Sequence, residues 1–248
     1  MENQQQQTHF GFRTVDATAK QGMVGGVFSS VAESYDVMND LMSGGLHRLW
    51  KNEFVRNVRA NANAAILDLA GGTGDIAVRL KARTGASVTV CDINADMLTV
   101  GRARQFDKGE AENLRWVCGN AEHLPVPDSS LDVITIAFGL RNVTNTQQAL
   151  NDAYRALKPG GQFLCLEFSK VTVPMMAKIY DAYSFHVIPK IGELVAKDKD
   201  SYQYLVESIR QFPDQETLLG MMKKAGFEKA KYTNLTFGTV AIHQGWRI

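Results

Sequence analysis

The hydrophobic pattern changes twice within the first sixty residues. Residues 1–22 are polar, glycine-containing and weakly periodic, which predicts a loose, flexible head. From Val24 to Val58 apolar positions recur at helical spacing. Phe28, Val31 and Tyr35 form one set, and Leu46, Leu49, Trp50, Phe54 and Val58 a second, with Ser43-Gly44-Gly45 breaking the chain between them. Short apolar runs then alternate with amphipathic stretches. Ala65–Leu69, Ser87–Cys91, Leu114–Cys118, Leu131–Ala137 and Gln162–Glu167 read as buried strands, the last preceded by a Lys158-Pro159-Gly160-Gly161 turn. Asp75–Arg83, Ala95–Phe106 and Thr146–Leu157 read as helices among them. Strands alternating with helices predict an α/β fold, a parallel sheet covered on both faces.

Residues 170–212 interrupt that rhythm with Met and aromatic side chains, including Met175, Met176, Tyr180, Tyr183, Phe185, Tyr202 and Tyr204. A helix follows over Asp214–Ala225, closed by Gly226. Two strands, Lys231–Leu235 and Thr239–Trp246, are joined by Thr236-Phe237-Gly238, short enough for a hairpin that sets one antiparallel strand at the end of the sheet.

Composition narrows the classes further. A chain of 248 residues, 45% hydrophobic and 21% charged, is ordinary for a globular protein and buries a core without staples. Lys+Arg number 27 against 26 Asp+Glu, and no basic run exceeds two residues, so a nucleic-acid partner is not indicated. Cys91, Cys118 and Cys165 form no CxxC and have no ligand-spaced partner; they are expected to be small buried side chains in a reducing compartment, not metal ligands. No secretory h-region and no run of about 18 apolar residues is present, which predicts a cytoplasmic protein.

The chemistry centres on Leu67-Asp68-Leu69-Ala70-Gly71-Gly72-Thr73-Gly74-Asp75: a strand, a glycine-rich turn and a helix start. Open α/β sheets bind ligands at such strand ends. Gly72, Gly74 and Ala77 satisfy the GxGxxA dinucleotide pattern, and Asp92, twenty residues after Gly72, is placed to grip a ribose. These features suit a nicotinamide oxidoreductase and a methyltransferase about equally. Asp68 tips the balance, because a carboxylate there suits the cationic methionine end of S-adenosylmethionine and is a poor neighbour for a pyrophosphate. Gly119–Pro125 is placed to cover an adenine, with Asn120 or the backbone of Ala121 reading its edge.

The Asp68–Asp75 loop, Asp92, Asn120-Ala121-Glu122 and Leu157–Gly161 together resemble class I S-adenosylmethionine-dependent methyltransferases. Phe138-Gly139-Leu140-Arg141-Asn142-Val143, Leu166-Glu167-Phe168-Ser169-Lys170, Tyr180–His186 and Tyr204-Leu205-x-Glu207-Ser208-Ile209 are similar, more narrowly, to the ubiquinone/menaquinone biosynthesis C-methyltransferase family. The likeness runs from about Phe28 to the C-terminus. It implies a Rossmann-like, seven-stranded, mostly parallel sheet with one antiparallel strand near the C-terminus. Residues 23–248 would form a single class I methyltransferase domain with a helical insert at about 170–212. The implied cofactor is S-adenosylmethionine, held by the glycine loop and by Thr73, Asp92, Asn120 and Ala121. Ala137 stands where several family members have Ser, so a side-chain contact there is absent and a backbone contact survives. The implied acceptor is a ring carbon of a polyprenylated quinol, either demethylmenaquinol or 2-methoxy-6-polyprenyl-1,4-benzoquinol.

Methyl transfer to carbon needs an acceptor held in line and a ring made electron-rich by loss of a hydroxyl proton. Arg141 and Asn142, after the fourth strand, are the expected acceptor-side residues, the first stabilising phenolate charge and the second orienting a hydroxyl. Arg141 also reads as half of a structural Arg–carboxylate pair. Tyr35 is a further candidate or a packing aromatic, His186 a base or a bystander, and Glu167 a ligand contact or a helix-facing carboxylate. The 170–212 insert suits a prenyl-tail tunnel, cover for the sheet edge or a dimer contact. A lipid tail implies transient contact with the inner face of a membrane, and a homodimer or biosynthetic complex is compatible with it. Two other readings stay open on the residues alone: an NAD-dependent oxidoreductase, and a non-catalytic quinone- or lipid-binding protein on the same fold.

Overall fold

The polar N-terminus is structured by contacts distant in sequence. In the computed structural model, which describes residues 7–31, 39–40, 43–175 and 199–248, β1 (Gln7–Phe10) and β2 (Arg13–Asp16) form an antiparallel hairpin. Helix α1 (Ala17–Val31) follows and starts earlier than the expected Val24. The loose head expected over 1–22 is thus corrected for residues 7–22. Phe10 stacks on Tyr204 with centroids 4.1 Å apart, and Glu207 accepts from the Phe12 amide, which local periodicity does not reveal. In α2 (His47–Arg56), Trp50, Phe54 and Val55 are buried, whereas Leu46 and Leu49, expected on the same face, are exposed. Lys51 lies inward instead, its Nζ 2.8 Å from the Asp75 carboxylate.

The main sheet contains β3 (Ile66–Leu69), β4 (Val88–Asp92), β5 (Leu114–Cys118), β6 (Leu131–Ala137), β7 (Leu157–Phe168), β8 (Glu228–Leu235) and β9 (Val240–Trp246). Their spatial order is β5-β4-β3-β6-β7-β9-β8, and only the pairs that include β9 are antiparallel. This is the expected seven-stranded sheet; its antiparallel strand lies second from the edge. Helices α3 (Asp75–Thr84), α4 (Ala95–Asp107), α5 (Thr146–Ala156), α6 (Lys199–Gln211) and α7 (Gln215–Lys224) follow, and short 3-10 turns lie at Leu140–Asn142 and Thr236–Gly238. Local chemistry fixes several boundaries. Asn94, Asn145 and Asp214 each accept backbone amides of the turn they open, and Gly85 ends α3 in the left-handed region. The Lys158–Gly161 turn appears as a bulge inside β7: Leu157 pairs with Leu131, and pairing resumes between Gln162 and Val133.

Strand alternation divides the core in two. Ile66, Val88, Val90, Val133, Leu164 and Leu166 pack on one face with Trp50, Phe54, Leu80 and Tyr202. Leu67, Leu69, Cys91, Ile134, Ile136 and Phe163 pack on the other with Leu150, Leu218 and Met222. Both faces are buried, which is why the strands read as nearly continuous apolar runs. Cys91 and Cys165 are buried as expected; Cys118 is exposed.

Candidate functional site

Strand order reverses about β3, which has β4 and β5 on one side and β6 and β7 on the other. A cleft of about 820 Å³, open to solvent, lies at this switch point, lined by residues that follow β3, β4, β5 and β6 and covered by Gln21, Val24, Gly25 and Phe28 of α1. Helix α1 is tied across it at two points. Lys20 Nζ donates to the Val143 carbonyl at 3.0 Å, and the Asn94 side-chain amide donates to the Gly25 carbonyl at 3.1 Å.

Sheet register builds the cofactor side. Asp68 pairs with Thr135, whose hydroxyl donates to Asp68 Oδ1 at 2.8 Å. Asp68 Oδ2 is buried with no hydrogen-bond partner among the described residues, and burial pushes this carboxyl up to about 7 against the pull of Thr135. Leu69 pairs with Cys91, so the chain after β3 runs beside the end of β4. There Asp92 Oδ2 accepts the Gly72 amide at 2.9 Å and Oδ1 accepts the Asn94 amide at 2.8 Å. Burial raises the Asp92 carboxyl, while these two amides act against the shift.

Of the residues expected on the cofactor, Gly72, Asp92, Asn120 and Ala121 line the cleft. Asp68 lies behind the loop, with Oδ2 2.9 Å from where a Cβ on Gly71 would stand. Gly74 (φ +81°) caps α3 against Trp116. Thr73 lines a second hollow with His47, Asp75, Arg79 and Gln105, its backbone covered by Gly101 of α4. Ala137 ends β6, and the two residues after it, not Ala137 itself, reach the cleft. The sequence reading did not single out Ala70, Ile93, Met97, Phe138 or Gly139, which also line it. Ala70 (φ +49°) and Phe138 (φ +57°) both hold left-handed backbone that favours glycine. Gly139 packs so closely that a Cβ there would come 2.5 Å from that of Ala70.

On the acceptor side, Asn142 lines the cleft and its Oδ1 is 3.0 Å from the Tyr204 hydroxyl. Arg141 is not among the lining residues. Its guanidinium is 2.9 Å from Glu167 Oε1, also donates to the Phe138 carbonyl, and lies over the Phe168 ring. Tyr35 and His186 fall outside the described residues.

The donor set fits S-adenosylmethionine. The Asp92 carboxylate lines the cleft, where it would accept from ribose hydroxyls, Ile93 and Met97 would give an adenine an apolar bed beside Asn120 and Ala121, and the orphaned Asp68 oxygen sits behind the glycine loop. Fold and site together define a Rossmann-like methyltransferase. An S-adenosylmethionine-dependent methyltransferase of Thermotoga maritima superimposes with a TM-score of 0.64 at 20% identity, over 91% of this chain and all of that one. The sequence matches the ubiE/COQ5 methyltransferase family over residues 16–247, and the chain belongs to that family. Proteins named ubiquinone/menaquinone biosynthesis C-methyltransferase UbiE are 56% identical in Cereibacter sphaeroides, over 97% of both chains, and 53% identical in Brucella anthropi, over 96% of this chain and 92% of that one. The cofactor is S-adenosylmethionine, and the oxidoreductase reading is set aside.

Proposed function

We propose that this enzyme methylates a ring carbon of a polyprenylated quinol, a benzoquinol or a naphthoquinol, in ubiquinone or menaquinone biosynthesis. The observation that carries the reading is the meeting of Asn142 with Gly72, Asp92 and Asn120 in one cleft, which supports a neutral polar side chain beside the expected cofactor positions. S-adenosylmethionine supplies a methyl group on a sulfur that leaves without protonation. The chain's own task is to hold the acceptor in line and favour its ionised hydroxyl, which pushes electron density onto the neighbouring carbon. Asn142 donates to that oxygen, and Phe138 and Val143 wall the ring from water. The methyl group would pass from the cofactor's sulfur to that carbon, and the proton displaced from the ring carbon would leave through the open mouth of the cleft. Arg141, paired with Glu167, holds the turn that carries Asn142.

No helix among the described residues is long and apolar enough to cross a membrane. The reading therefore includes transient contact with a membrane surface, where the acceptor's tail resides. The test is methyl transfer from labelled S-adenosylmethionine to reduced short-tailed quinols of both ring types, with the oxidised quinone as control. Label in a quinol alone supports the reading. Label in neither, with cofactor binding intact, rejects it in favour of another acceptor or a binding role.

A further inference from the structure

We propose that Tyr204 is a positioning residue that decides which end of the Asn142 amide faces the acceptor, an inference that rests on Asn142 being an acceptor-side residue. Tyr204 lies on α6, 4% exposed, with its ring stacked on Phe10 at an interplanar angle of 17°. A buried phenol O–H needs an acceptor, and Asn142 is its hydrogen-bond partner among the described residues, at 3.0 Å. The hydroxyl therefore donates, and only Oδ1 of an amide accepts. Burial raises the Tyr204 phenol to about 12, so it stays protonated, and a donor, across the neutral range.

With Oδ1 held, Nδ2 is the end left for the cleft that Asn142 lines. An amide NH2 carries two donors and no acceptor. It stabilises an oxygen that gains negative charge as its proton leaves; the reversed amide would set a carbonyl dipole against that charge. Tyr204 thus makes Asn142 a donor of fixed orientation before the acceptor arrives, with no reorganisation left for the transition state. The charged groups around the pair are already engaged. Arg141 and Glu167 bind one another, Lys20 of α1 holds the Val143 carbonyl, and Glu122 accepts the Thr144 and Asn145 amides. Arg13 lies over the outer ring, Phe10.

Tyr204→Phe in the full-length enzyme keeps the stacked ring and deletes the hydroxyl. With a short-tailed quinol, kcat should fall about tenfold, with the KM for S-adenosylmethionine unchanged and the thermal midpoint lowered by no more than about 2–4 °C, the cost of one hydrogen bond. The acid limb of the kcat–pH profile should move up by about one unit, because the ionised acceptor loses its oriented donor. Asn142→Ala should lose at least as much, and the double variant no more than Asn142→Ala alone. Asn142→Asp, which offers only acceptors at neutral pH, should be less active than Asn142→Ala and tests the donor's polarity without disturbing Tyr204. Wild-type kcat in Tyr204→Phe beside an impaired Asn142→Ala overturns the role of Tyr204 and leaves that of Asn142 standing. Wild-type kcat in Asn142→Ala overturns both. A Tyr204→Phe enzyme that loses kcat only together with cofactor binding and thermal stability is structurally damaged, and that result also overturns the proposal.

Discussion

Arg141 and Glu167 meet at 2.9 Å with side chains 4% and 1% exposed, which binds the turn after β6 to the end of β7. The Arg141 backbone amide also reaches Glu167, so one carboxylate holds both ends of the residue. Removing one partner leaves the other charge buried alone. Glu167→Gln should therefore lower stability by about 3–5 kcal/mol in chemical denaturation and reduce turnover with it. Arg141→Lys should not restore either, because an ammonium cannot reproduce the fork that serves Glu167 and the Phe138 carbonyl together. Arg141→Ala should abolish turnover while cofactor binding, measured by titration, is kept. A stable, active Glu167→Gln enzyme would show that the pair does not hold the turn.

Asp68 should make cofactor affinity depend on pH. Its carboxyl is raised to about 7 in the fold, above the ordinary value of 3.8. The folded apoprotein thus binds a proton that the unfolded chain has released. That contribution to stability is complete below about 4 and fades as pH rises through 7. A cationic sulfonium nearby favours the ionised form. Affinity for S-adenosylmethionine should therefore weaken by up to about tenfold per unit as pH falls below 7, while S-adenosylhomocysteine, which lacks the sulfonium charge, shows a smaller change. Asp68→Asn keeps an acceptor for Thr135 and should flatten this difference in calorimetric titrations across pH 5.5–8.5. The same pH response in Asp68→Asn would assign it to another group.

Asp92, placed in the cleft to hold a ribose, would act on a part that both forms of the cofactor share. Its two oxygens already accept the Gly72 and Asn94 amides, which aims the remaining lone pairs into the cleft. Asp92→Ala would remove the expected ribose contacts and free both amides. It should weaken S-adenosylmethionine and S-adenosylhomocysteine alike, by about a hundredfold, in contrast to Asp68→Asn. Unequal losses for the two ligands would place Asp92 nearer the sulfur than the ribose.

The sheet and the cofactor loop were legible because buried parallel strands and glycine turns leave their signature within a few residues. Asp92 could be placed for that reason, and so could the helices opened by Asn94, Asn145 and Asp214. What stayed hidden depends on contacts distant in sequence. Thr73 shares the glycine loop with Gly72, yet Gly101 packs on its backbone and its neighbours are those of the second hollow. The β1–β2 hairpin needs Tyr204 and Glu207, nearly two hundred residues away, to order a polar segment. Arg141 was open to both a catalytic and a structural reading because a side chain's partner is not written beside it. Leu49, expected on the inner face, is exposed, and Lys51 lies inward, where Asp75 offers it an ion pair.

The membrane contact proposed for this enzyme should fall at the carboxyl edge of the sheet. Met175 is 70% exposed, Phe237 57% and Val173 37%, and Thr172 holds them together by donating its amide to the Phe237 carbonyl at 2.9 Å. Beside them Thr236 accepts the Trp50 indole N–H, and Trp50 packs through Phe168 onto Phe138 in the cleft wall. An apolar surface thus adjoins the site on the side where a prenyl tail would leave it. The double variant Met175→Glu/Phe237→Asn tests this, with Asn chosen because it tolerates the left-handed backbone at Phe237 (φ +58°). Its sedimentation with phosphatidylglycerol-containing vesicles should drop, and its KM for a long-tailed quinol in those vesicles should rise about tenfold. The KM for a short-tailed quinol in solution should stay at the wild-type value. Unchanged sedimentation and unchanged long-tail KM would move the contact to another face, whereas an equal rise for both acceptors would mean that the substitutions had reached the cleft itself.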